Sequence, residues 1–183
     1  MSAPLDRSQR PSTTHDDLVI RAERWLRSIG CGVTFRELVA NVSSGEIPDA
    51  IGWKYGVSIL IECKISRADF LSDKKKRFRQ FPEHGMGDWR FFFCPEGIIQ
   101  PDDLPAGWGL LHATPKTVLR VHGAPKGNAG WGSAPFQGHK RYETMLMASA
   151  LRRLHLRGHL ETIYDPAPSA ASDEANQTVE FAR

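Results

Sequence analysis

The stretch IPDAIGWKYGVSILIECKIS, residues 47–66, decides the fold. Its apolar run Val57–Cys63 has the length of a buried strand, yet it carries Glu62 and then Lys64. Burying a charge is costly unless the charge is paired or binds a metal. Side chains alternate along a strand, so Glu62 and Lys64 share one face while Ile61 and Cys63 share the other. Asp49 opens the preceding strand, DAIGWKY, and the short connection at Gly56 makes the two strands antiparallel neighbours. Asp49 and Glu62 are therefore expected side by side at one sheet edge. Two carboxylates so placed repel each other, and one is pushed toward protonation. A divalent cation removes that conflict, because hard oxygen ligands suit it. Beside it, Lys64 can stabilise a phosphorane-like state or orient and deprotonate a water.

Working outward, DDLVIRAERWLRSIG places Leu18, Ala22, Trp25, Leu26 and Ile29 at helical spacing, with Asp16 and Asp17 at the positive end of the helix dipole. VTFRELVA (33–40) alternates as a first strand, and SSGEIP is a turn. The continuous apolar run of VSILIECK predicts a strand covered on both faces. SRADFLSDKKKRFRQF (66–81) predicts one helix capped by Ser66, with Asp69 in its first turn. An aromatic strand, DWRFFFCPEG, follows, then two short strands, a Gly-rich loop over 123–138 and a final helix over 139–160. In that helix Tyr142, Met145, Leu146, Ser149, Leu151 and Leu154 are available for packing. The resulting class is α/β, a mixed central sheet flanked by helices in the order α-β-β-β-α-β, with additional strands and a C-terminal helix. The expected organisation is an N-terminal arm over 1–14, one domain over 15–164 and an acidic, polar tail over 165–183.

At 183 residues the chain has room for one ordinary core. No apolar run approaches the roughly 20 residues of a membrane span, and the N-terminus lacks the apolar core of a secretory signal. A cytoplasmic protein without a membrane partner is expected. Twenty-four Lys and Arg against 21 Asp and Glu give a net charge of +3, compatible with a nucleic-acid partner. Cys31, Cys63 and Cys94 form no CxxC pair and read as reduced core thiols.

Pro48–Asp49, twelve residues, and then Glu62–Cys63–Lys64 resemble the PD-(D/E)xK signature of the restriction-endonuclease-like nucleases. ECKISRADFLSDKKK, the aromatic strand ending in CPEG, and DDLPAGWGLLHA are similar, more closely, to MmcB-type DNA repair proteins and related phage-encoded proteins. The resemblance covers about residues 15–125. It implies a magnesium-dependent deoxyribonuclease core in which manganese can substitute. Asp49, Glu62 and the Cys63 main-chain carbonyl would hold the metal, and Lys64 would be catalytic. Many members add an upstream acid: Glu37, on the strand beside Asp49, is favoured over Glu23 on the first helix.

DNA contacts are expected from Lys74, Lys75, Lys76, Arg77 and Arg79 on the helix after the motif, and from Lys54. The plainer reading of that basic run is a solvated helix face. Cutting both strands of a duplex needs two active sites, hence a homodimer. Trp53 and Tyr55 lie near a hairpin tip where aromatics can stack on bases, with Trp53 better suited to packing. His84 and His139 are loop residues open to a phosphate contact or general-acid role. Two alternatives differ in kind from the nuclease: a DNA-binding module with the fold but little cleavage, and a structural protein whose strand-end charges form salt bridges.

Overall fold

The computed structural model describes residues 14–166; the expected arm before Thr14 and the tail beyond Pro166 lie outside them. Contacts divide the chain into two compact units, Met1–Met147 and Ala148–Arg183.

The first unit opens with α1 (His15–Ser28), started by a capping box in which Thr14 and Asp17 satisfy each other's end groups. A six-stranded mixed sheet follows in the spatial order β1-β2-β3-β4-β5-β6: β1 (Val33–Arg36), β2 (Ala50–Lys54), β3 (Val57–Cys63), β4 (Trp89–Pro95), β5 (Gly109–Ala113) and β6 (Val118–His122). The β1–β2, β2–β3 and β5–β6 pairs are antiparallel; β3–β4 and β4–β5 are parallel.

Tyr55 (φ 51°) and Gly56 (φ 81°) both take left-handed conformations between the paired residues Lys54 and Val57. Two positive φ values in a two-residue loop match the right-handed twist of the strands they join. This turn sets the register that brings Asp49 and Glu62 opposite each other.

Both faces of the sheet are covered, which explains the unbroken apolar runs of β3 and β4. Ile59, Ile61, Cys63, Phe91 and Phe93 pack with Leu18, Ala22, Trp25 and Leu26 of α1. Leu60, Phe92 and Cys94 point the other way, toward Phe70, Met86, Trp108 and Leu146. The three cysteines are free and buried. The Gly-rich loop is pinned by Trp131, which is 2% exposed, edge-on to Trp25, Trp89 and Phe91, and accepts the Trp89 indole N–H on its carbonyl at 2.8 Å.

Three elements differ from the sequence reading. The first strand stops at Arg36 rather than Ala40, because Glu37 turns left-handed (φ 46°) and its amide reaches both the Pro48 and Asp49 carbonyls at 3.2 Å. The helix after the motif breaks into α2 (Arg67–Asp73) and α3 (Arg77–Gln80). At the break Lys76 is extended (ψ 135°), and Asp73 binds the side chains of Lys76 and Arg79, closing the chain around itself. The last helix, α4 (Lys140–Leu156), buries Glu143 and Leu146 and half-buries Tyr142, whereas Met145, Leu151 and Leu154 are exposed.

The division between the two units falls within α4. In the second unit the helix ends at Leu156, with Gly158 left-handed (φ 74°) and the His159 amide bonded back to the Leu154 carbonyl. A single 3₁₀ turn, Leu160–Tyr164, follows. Among the described residues no helix is long and apolar enough to cross a membrane.

Candidate active site

The β2–β3 register pairs Ala50 with Ile61, which puts Asp49 across from Glu62 at the open end of the hairpin. Asp49 is fixed by the Cys63 amide, which donates to its Oδ2 at 2.7 Å. His15, the first residue of α1, lies 3.5 Å from the same oxygen and 3.9 Å from Glu37 Oε1. Burial and the nearby Glu62 charge push the Asp49 carboxyl up to about 6, against the pull of the Cys63 amide and His15. Burial is the larger cause, and the Glu62 charge adds to it in the direction that the spacing predicts.

Glu62 is 2% exposed and Lys64 4%. Lys64 Nζ lies 3.6 Å from Glu62 Oε2, 3.3 Å from Asp73 Oδ1 and 4.0 Å from Asp69 Oδ1. Burial works against its charge, but Glu62, Asp73, Asp69 and Asp49 together hold it above the ordinary lysine value. Lys64 is an ammonium at neutral pH, suited to stabilising negative charge rather than to accepting a proton.

Around this pair the fold gathers charges that strand alternation does not reveal. Arg79, its side chain 4% exposed, lies 2.9 Å from Glu62, 2.6 Å from Asp73 and 3.0 Å from Glu46, and its guanidinium stacks over Trp108 at 4.5 Å. Lys76 reaches Asp73 at 2.7 Å and Glu62 at 3.7 Å. Glu46, fully enclosed, also accepts the Met86 amide at 2.6 Å. Burial pushes the Glu46 carboxyl up to about 7 despite Arg79. Asp73, by contrast, is pulled down to about 2, because Arg79, Lys76 and Lys64 outweigh its burial.

Distance and direction disagree at one contact. Arg79 Nη2 stands 2.9 Å from Glu62 Oε1, but both atoms are buried without a hydrogen-bond partner, as is Asp73 Oδ1. Glu62 Oε1 is thus electrostatically compensated and directionally unsatisfied.

Two of the expected DNA-contacting residues are not on the surface. Arg79 is enclosed by the three carboxylates just described. Lys54 is 4% exposed, its ammonium donating to the Ile29 carbonyl and, at 2.9 Å, to Asn128 Oδ1. Lys74, Lys75, Lys76 and Arg77 are exposed. Glu37, half-exposed, shares His15 with Asp49, whereas Glu23 is paired with Arg27 at 2.9 Å and Arg36 at 3.4 Å. Of the two upstream acids, Glu37 is the one brought toward Asp49. At the hairpin tip Trp53 packs edge-on against Phe35, and Tyr55 is 80% exposed.

Sequence reading missed Glu46, His15 and the joint role of Asp73 and Arg79. The last two had a signal, since Asp73, Lys76 and Arg79 recur at three-residue steps; Glu46 had none.

Among the described residues no three His, Cys, Asp or Glu side chains cluster as a metal-holding group. The available donors are two carboxylates and one main-chain carbonyl. These are hard oxygen donors, Glu62 Oε1 is buried without a hydrogen-bond partner and the Asp49 carboxyl is raised, so the donor set fits a hard divalent cation. Arg79 and Lys76 would compete for Glu62.

No family model matches the chain, and no curated protein matches it. Among solved structures it is similar to a protein of unknown function from Silicibacter pomeroyi, with a TM-score of 0.54 and 26% identity over 88% of this chain and 97% of that one.

Proposed function

We propose that this protein is a divalent-metal-dependent deoxyribonuclease of the restriction-endonuclease-like class, working in a DNA repair, phage or mobile-element setting. The observation that carries the reading is the pairing of Asp49 and Glu62 at one strand end, with Asp49 raised to about 6 and Lys64 on the same face. The element order of α1, the β1–β3 meander, α2 and β4 supports it, because the resemblance implies the same core.

Asp49, Glu62 and the Cys63 carbonyl would hold magnesium or manganese, which when bound supplies a water activated as nucleophile and charge stabilisation at phosphate. The Cys63 amide fixes the orientation of Asp49. Lys64, kept cationic by Glu62, Asp73 and Asp69, offers positive charge to a phosphodiester as negative charge grows in its transition state. His15, between Glu37 and Asp49, holds the Asp49 carboxylate from the α1 side. Lys74, Lys75 and Arg77 offer exposed charge for phosphates next to the site. Cutting both strands of a duplex would call for a second copy of the chain.

The test is a calorimetric titration of manganese into wild type, Asp49→Asn and Glu62→Gln. Binding by wild type that disappears in both variants is expected. Absence of heat with folded wild type would sink the metal-dependent reading. A second reading, a DNA-binding module without cleavage, would then lead, and one observation already favours it: Arg79 and Lys76 lie on Glu62 at 2.9 and 3.7 Å.

A further inference from the structure

Two histidines that lie in separate loops of the sequence meet in the fold. His84 follows α3, and His139 precedes α4; their rings stand 6.4 Å apart with planes 28° from parallel. The row continues on both sides. Phe81 packs edge-on to His84 at 6.1 Å, and Tyr142 stacks on His139 at 3.6 Å with planes within 12°. Four rings from two distant segments thus follow one another across the surface.

The Phe81–His84 end of this row is open to solvent, whereas His139 and Tyr142 are half-buried and stacked on each other. Phe81 is 48% exposed and the His84 side chain 46%. Two shallow hollows, of about 460 and 260 Å³, meet at His139 and Arg141. Arg141 is exposed there, and Lys140 beside it is already held by Asp88 at 2.5 Å and Glu143 at 3.1 Å. The acidic residue on this rim, Glu83, lies 3.8 Å from the His84 ring.

Both ends of the row lie on segments that also carry residues of the candidate active site. Phe81 is two residues beyond Arg79, whose guanidinium touches Glu62. At the other end the Tyr142 hydroxyl bonds Ser43 at 2.7 Å, on the loop that leads through Glu46 to Asp49.

We infer that Phe81 and His84, backed by the stacked His139 and Tyr142, form a stacking platform for an unpaired DNA strand, with Arg141 and the exposed Lys74, Lys75 and Arg77 meeting its phosphates. Aromatic faces accept any base, and cations beside them track the backbone, which is the recurring design of single-strand binding. A duplex keeps its base faces covered and cannot use such a row. The inference deepens the proposed function by naming the substrate class as DNA with single-stranded character.

The test measures fluorescence anisotropy of a labelled oligothymidylate, and of a duplex of equal length, with chelator present so that no metal takes part. Expected is tighter binding of the single strand, weakened about tenfold by Phe81→Ala and again by His84→Ala, both exposed positions where folding is checked by circular dichroism. Arg141→Ala should weaken binding and flatten its salt dependence. Equal affinity for duplex, or single-strand binding unchanged in both ring variants, would overturn the inference, as would no binding at all. Loss of manganese binding would sink the catalytic reading and leave this result standing; loss of oligothymidylate binding would do the reverse.

Discussion

Arg79→Met removes the one guanidinium that three buried carboxylates share while keeping most of the side-chain volume. Glu46, Glu62 and Asp73 lie within 3.0 Å of it, and its side chain is 4% exposed, so solvent does little to screen the loss. At an effective dielectric of about 20, each contact amounts to about 6 kcal/mol of bare attraction, most of it offset by desolvation. Removing one partner of a buried pair typically costs about 3–5 kcal/mol, because the others stay buried without it. Glu62 and Asp73 keep Lys64 and Lys76, but Glu46 keeps the Met86 amide and the weaker pull of Arg90, with its carboxyl already raised. We therefore expect a loss of about 4 kcal/mol at pH 8, of which Glu46 supplies about 1 kcal/mol, because a carboxyl already raised to about 7 can take up a proton one pH unit above that value. A carboxyl raised above its unfolded value costs stability as pH rises toward the raised value, and removing Arg79 raises Glu46 further. The deficit should shrink by about 1 kcal/mol at pH 5, where Glu46 is protonated with or without Arg79. Urea unfolding followed by the fluorescence of the five tryptophans measures this at both pH values. A loss below about 1 kcal/mol at pH 8, or one equal at both pH values, would refute this account of the cluster.

Glu46→Gln isolates the same titration in the presence of Arg79. Wild-type stability should fall by about 3 kcal/mol as pH rises from 4.5 to about 7, and the variant should flatten that slope; denaturation midpoints across that window decide it. Asp73 acts in the opposite sense: its carboxyl, lowered to about 2, contributes stability that disappears as pH falls from about 4 to 2, and Asp73→Asn should lose that acid limb in the same titration. Trp131→Ala opens a cavity among Trp25, Trp89 and Phe91 and should cost about 3–5 kcal/mol in thermal or urea unfolding, with a smaller loss meaning that the loop does not rely on this anchor. Lys54→Met should lower stability by about 1–3 kcal/mol through the Ile29 carbonyl and Asn128, yet leave DNA affinity within twofold; weaker binding in an anisotropy assay would return Lys54 to the interface.

Local rules carried the sequence a long way. Strand alternation and a short hairpin were enough to set Asp49, Glu62 and Lys64 on one face, because both depend only on neighbours in the chain. The continuous apolar runs of β3 and β4 announced a sheet covered on both sides for the same reason. Such rules reach no further than one element and its turn. Whether a lysine or arginine meets solvent depends on what the fold brings over it. Arg79 and Lys54 look like surface cations in the sequence, and tertiary packing encloses both, one among carboxylates and one under Ile29 and Asn128. Glu46 joins the cluster from a loop with no periodicity to betray it. His84 and His139 become ring neighbours only when the segment after α3 meets the start of α4. Sequence alone determined where the paired carboxylates stand, since a strand's two-residue period is written residue by residue. Only the tertiary structure decided which charges neutralise them, since that depends on side chains converging from distant parts of the chain.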